Sequence, residues 1–281
     1  MLAAVACVLA GCMSQARPAP AASSRPWPAA GPPPGGRVIW MLTRAALAEL
    51  IADPDIRGGL DGSSVYEIVR PGQEPLAGFD AAVTVTFPSL AALSHAVTAG
   101  RLPADTRAIL YDPEAWSFTP AAEQRDPVQA ARRAADLARA HGLQLIVAPA
   151  LNLTAVLARG SAAPRWRQFL DLQLAARTAK VADIIELQAQ SLERDPGTYA
   201  TFVREAAAQA RAANPSVTVL AGLSTNPPGA VVASDQLVDA IRASRSSVDG
   251  YWLNVPGPGP RCPTCNQKRP DVGIEALRAV L

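Results

Sequence analysis

From Arg37 to the C-terminus, short runs of aliphatic and β-branched residues alternate with alanine-rich stretches of helical period. Val38-Ile39-Trp40-Met41-Leu42 is the first predicted strand, and residues 44–52 form the first predicted helix, with Thr43 as its N-cap. Further strands are predicted at 65–69, 82–87, 108–111, 143–148, 183–188, 217–220 and 250–254. Helices are predicted from Ser89 and over 127–140, 165–180, 197–213, 234–244 and 271–281. Seven or eight strands in alternation with helices predict an α/β fold built on a parallel sheet. Because the chain ends on a helix after the last strand, a (β/α)8 TIM-type barrel is the leading architecture. An open parallel α/β sheet is the alternative, weakened because no glycine-rich phosphate loop follows the first strand. One unit is irregular: the segment 70–81 is short for a helical crossover, so either that unit lacks its helix or 65–69 is not a barrel strand.

The pattern before Arg37 is different. Residues 2–11 are small or apolar, and residues 13–36 are rich in Pro, Ala, Ser and Gly, a composition that cannot build a packed core. Leu9-Ala10-Gly11-Cys12 resembles the lipobox of bacterial lipoprotein signal peptides, although no Lys or Arg precedes the apolar run. The resemblance implies that 1–11 is a signal peptide and that Cys12 is lipidated. Residues 12–36 would then be a tether holding the domain 37–281 off the outer face of a bacterial membrane. The apolar run is too short to span that membrane itself.

At 281 residues and 49% hydrophobic, the chain can bury one large core. A net charge of +2 with no basic block gives no electrostatic footprint for nucleic acid, so none is expected as a partner. His95 falls within a helix and His141 at a helix end. Neither lies at a strand end, which disfavours Ser-His-Asp and Cys-His catalysis and a histidine zinc site. Cys262-Pro263-Thr264-Cys265 lies between the last strand and the last helix, and in an exported protein it predicts a local disulfide.

In α/β barrels the chemistry sits at the C-terminal ends of the strands. There the sequence places Asp112, Glu114 and Trp116, then Asn152, then Glu186, Gln188 and Gln190, and finally Trp252 and Asn254. By strand alternation Ile184, Glu186, Gln188 and Gln190 share one face, too polar to pack under helices, which points it into the barrel mouth. Carboxylates with amides and aromatic faces are the chemistry that reads sugar hydroxyls and ring surfaces, and paired carboxylates supply glycoside hydrolysis. The set loosely resembles the rims of glycoside-hydrolase barrels that carry a D-x-E acid on a mid-chain strand and a tryptophan on the last. Two departures are visible: Asp112-Pro113-Glu114 lacks the longer aspartate-rich signature of the chitinase-like family, and no glutamate ends the 217–220 strand. The resemblance implies a carbohydrate-acting barrel with Glu114 as general acid and Asp112 or Glu186 as its partner. The alternative is a non-catalytic lipoprotein binding a carbohydrate or small polar ligand. No cofactor or metal is expected, because the three carboxylates have no companion Lys or His base.

Overall fold

The computed structural model describes residues 38–60, 65–227, 231–260, 262–265 and 267–281. The apolar leader, Cys12 and the tether lie outside the described residues. Eight parallel strands close into a barrel in sequence order: β1 (Ile39–Thr43), β2 (Val65–Val69), β3 (Ala82–Phe87), β4 (Thr106–Tyr111), β5 (Gln144–Val147), β6 (Ile184–Leu187), β7 (Thr218–Ser224) and β8 (Gly250–Asn254). Pairing of β1 with β8 completes the ring. The closure depends on Gly250, because a Cβ there would stand 2.1 Å from the Ile39 carbonyl oxygen.

Helices cover the outside: α1 (Arg44–Leu50), α2 (Pro54–Gly59), α3 (Leu90–Thr98), α4 (Ala121–Arg125), α5 (Pro127–Ala140), α6 (Thr154–Leu157), α7 (Arg165–Asp171), α8 (Leu174–Ala179), α9 (Pro196–Ala213), α10 (Ser234–Ser244) and α11 (Pro270–Arg278). Thr43 caps α1 and Ser89 caps α3, each hydroxyl accepting a backbone N–H three residues on. Alternation along the strands divides the core. Met41, Ile68, Leu110, Ile146, Ile184 and Leu220 fill the barrel, while Leu42, Ile109, Val147, Ile185, Leu187 and Leu253 pack outward under the helices.

The irregular unit is a barrel strand without its helix. β2 pairs with both neighbours, and residues 70–81 cross to β3 as turns. Buried Glu67, on the outer face of β2, stands where a helix would pack. It accepts the Leu76 N–H at 2.8 Å and lies 4.0 Å from Arg44. Two other expectations are corrected. The predicted helix 165–180 is two helices, broken where Gln173 takes the left-handed conformation at φ +51°. The strand expected at 217–220 continues to Ser224, because residues 220–224 pair with 250–254 of β8 despite the glycine at 222.

Candidate active site

The strand carrying Asp112 ends at Tyr111, so Asp112 begins the rim and Glu114 lies in the loop after it. Asp112 is buried, and its Oδ1 accepts a short hydrogen bond (2.6 Å) from Gln188 Nε2 two strands away. The same nitrogen donates to the Ala148 carbonyl, so Gln188 ties together the ends of β4, β5 and β6. Half-buried Glu114 accepts from Asn152 Nδ2 at 3.0 Å, while Asn152 Oδ1 accepts the Ala115 N–H at 2.8 Å. Asn152 sits in a 3-10 turn, Leu151–Leu153, just beyond β5. The sequence-predicted residues on three successive strand ends therefore converge.

Glu186 is the residue on which the site turns. It shares the inward face of β6 with Ile184 and is fully buried, and neither carboxyl oxygen has a hydrogen-bond partner. Gly222, on the neighbouring strand, makes this placement possible. A Cβ there would come within 2.6 Å of Glu186 Oε1 and 2.5 Å of the Gln190 side-chain amide. Gln190 opens the 3-10 turn Gln190–Leu192, and its side chain and Glu186 occupy the space a residue 222 side chain would fill. Burial raises the Glu186 pKa well above the ordinary carboxylate range, and the charges of Asp112 and Glu114 raise it further. The arrangement sorts the carboxyls. Burial favours the protonated form of Glu186, while Gln188 and Asn152 donate amide hydrogen bonds to Asp112 and Glu114.

The aromatic residues separate. Trp116 lies half-buried on the loop beside Glu114, edge-on to exposed Phe118 at 5.1 Å. Trp252 instead joins the apolar interior of the barrel at 7% exposure, and its Nε1–H is buried without a partner. Asn254, half-buried at the end of β8, accepts the Thr225 N–H through its backbone oxygen. Cys262 and Cys265 form the predicted disulfide, and Cys265 Sγ packs 3.5 Å from the Asn226 carbonyl oxygen, joining the loop after β8 to the end of β7.

Three residues that sequence reasoning passed over set the shape of the rim loop. Buried Thr119 accepts the Glu114 N–H (3.1 Å) and Trp116 Nε1–H (2.9 Å) and donates to the Pro88 carbonyl (2.8 Å). Gln124 donates to the carbonyls of Trp116 and Thr119, and Glu123 accepts from the Tyr111 hydroxyl and from the first N–H of α3. The only sequence signal was the density of hydrogen-bonding residues between Asp112 and Gln124, which resembles an ordinary polar loop. Thr119→Val keeps the shape and leaves two donors unanswered. It is expected to cost about 1–3 kcal/mol in urea unfolding at unchanged m-value. An unchanged midpoint would show that Thr119 does not organise the loop.

Known protein families and curated proteins give no match to this sequence. Solved structures do. A Bacteroides thetaiotaomicron protein described as a candidate α-L-fucosidase superposes with a TM-score of 0.52 at 11% identity, covering 79% of this chain and 84% of that one. The likeness is one of fold. It makes the chain a TIM-type barrel and carries no activity across. Triosephosphate isomerase from Bartonella henselae (TM-score 0.43, 14% identity, 78% and 92% covered) is also similar. So is the catalytic domain of a GH18 chitinase from the fern Peteris ryukyuensis (TM-score 0.40, 16% identity, 73% and 72% covered).

Proposed function

We propose that the barrel is a carbohydrate-acting domain of glycoside-hydrolase type, carried by an exported lipoprotein anchored through Cys12. The observation that carries the reading is the division of labour among three converging carboxyls. Glu186 is buried with its pKa raised, and Glu114 and Asp112 each accept a hydrogen bond from a neutral amide. The roles expected from sequence are thereby exchanged. Glu186 gives its proton to the leaving oxygen as the glycosidic C–O bond breaks. The Glu114 carboxylate stabilises the developing positive charge at the ring carbon and serves as nucleophile or as base toward water. Gln188, Asn152, Gln190 and Asn254 supply amides for sugar hydroxyls, and Trp116 an aromatic face at the mouth's edge. Complete burial of Glu186 favours a second reading, in which the mouth binds a sugar without cleaving it.

A panel of polysaccharides and aryl glycosides tests the choice. Hydrolysis by wild type should fall about 10²–10⁴-fold in Glu186→Gln and in Glu114→Gln while binding persists. Binding without turnover in wild type would establish the second reading, and neither binding nor turnover would contradict both. Palmitate incorporation into the membrane-bound protein, abolished by Cys12→Ser, tests the anchor; an unlabelled wild-type protein would contradict it.

A further inference from the structure

Glu186 is fully buried, and the side chain that stands beside it is tied to nothing. The Gln190 amide nitrogen and Glu186 Oε1 lie 2.5 Å and 2.6 Å from the point where a Cβ on Gly222 would stand. No hydrogen bond joins them, because both Glu186 oxygens are without a partner. The Gln190 amide has no other hydrogen bond among the described residues. Neighbouring rim amides differ in this respect. Gln188 donates to Asp112 and to the Ala148 carbonyl, and Asn152 is tied at both ends of its amide, to Glu114 and to the Ala115 N–H. Gln190 fills space without being held in it.

The backbone beneath it is fixed. Gln190 opens a 3-10 turn in which the Leu192 N–H donates to the Ala189 carbonyl at 2.8 Å. Gln188 bridges to Ala150 just before the turn, and Glu193 just after it accepts the Ser224 N–H. Movement here therefore belongs to the side chain alone. Rotation of a half-buried side chain about its own bonds is fast and breaks no backbone bond. It takes the amide toward water and gives the Glu186 oxygens access to the partners they lack.

We propose that Gln190 is a movable cover on Glu186: its side chain swings out of the space over Gly222 to admit the ligand oxygen that meets the carboxyl, and swings back to shut that carboxyl from water. The inference rests on the reading of Glu186 as the acid of a carbohydrate site, and it supplies the access that complete burial denies. Gln190 is thus a positioning residue, and the proton stays on Glu186 until the ligand oxygen is in place. Gly222 is the second part of the device, because a side chain there would take the space through which the amide moves.

Carbodiimide coupling of the whole protein to glycinamide at mildly acidic pH, mapped by peptide mass spectrometry, tests the cover. It reads access to each carboxyl without any turnover. In wild type Glu186 should label slowly. In Gln190→Ala it should label at least about tenfold faster, since no opening step precedes the reagent. Gln190→Met keeps the bulk and flexibility of the side chain without its amide, so its labelling should stay near the wild-type rate. Glu193, also fully buried, is the internal control and should label slowly in all three proteins. Equal labelling of Glu186 in wild type and Gln190→Ala overturns the cover and leaves the carbohydrate reading standing. Acceleration of Glu193 together with Glu186 also overturns it, because the variant has then loosened the fold at large. Labelling as fast in Gln190→Met as in Gln190→Ala overturns it too, since bulk alone would then not close the site. Selective acceleration of Glu186 in Gln190→Ala, with no sugar bound or cleaved, supports the cover and removes the carbohydrate reading.

Discussion

Glu186→Gln is expected to make the protein more stable at pH 8 and functionless. In the folded chain burial, Asp112 and Glu114 all hold the Glu186 proton more tightly than the unfolded chain does. The native state therefore binds more protons as pH rises past the ordinary glutamate value of 4.5, and stability falls along that limb until Glu186 itself ionises. Below that value both states are protonated and the effect vanishes. Glutamine has no proton to lose, so the variant should be more stable than wild type at pH 8. It should show no gain at pH 4. In melting experiments each kcal/mol corresponds to about 2–4 °C for a chain of this size. A variant less stable than wild type by the same amount at both pH values would mean that Glu186 makes a structural bond in the fold. Stabilisation with loss of function is the signature of a group kept for chemistry against the interest of the core.

Glu193→Ala is expected to be the most damaging single change near the site. β7 outruns β6, so the backbone of residues 222–224 has no strand to pair with on that side. Two side chains take the missing strand's place. The Tyr199 hydroxyl donates to the Gly222 carbonyl (3.1 Å), and Glu193 Oε2 accepts the Ser224 N–H (2.8 Å). Glu193 is fully buried, and its pKa is raised by burial in spite of that N–H bond. Alanine leaves the Ser224 N–H unanswered and opens a cavity, a loss of about 2–4 kcal/mol. Glu193→Gln keeps an acceptor for that N–H and should recover most of the loss at pH 5. At pH 8 it should exceed wild type, by the same proton argument as for Glu186. Chemical denaturation at the two pH values reads both effects. Equal losses for alanine and glutamine at pH 5 would show that the Ser224 bond is not what Glu193 contributes.

The barrel was legible because its strands are short apolar runs in strict alternation with helices, and the β2–β3 gap was visible as a spacing too short for a helix. Its resolution was hidden, because the outward Glu67 that anchors the helix-free loop looks in sequence like any strand carboxylate. The inward face of β6 followed from period two alone; in the structure Glu186 is buried on that face and Gln188 bonds Asp112 and the Ala148 carbonyl. The strand predicted at 217–220 stopped short of Gly222, whereas the ladder to β8 carries the strand through it. That error concealed why Glu186 has room at all. Glu193 was missed for a related reason, since it lies just past a 3-10 turn where no periodic pattern marks a face, and only the three-dimensional end of β7 gives it a purpose. The break at Gln173, where the backbone is left-handed, has no sequence signal, because glutamine is an ordinary helix residue.

The central claim is that Glu186 is a proton-holding acid inside the mouth, under the influence of Asp112 and Glu114. The most direct measurement is a carbon-13 NMR titration of glutamate side-chain carboxyls, with Glu186 assigned by its disappearance in Glu186→Gln. The account predicts that Glu186 titrates well above the other glutamates except Glu193, and that Asp112→Asn and Glu114→Gln each shift it downward. Titration in the ordinary glutamate range, unmoved by either neighbour, would contradict it.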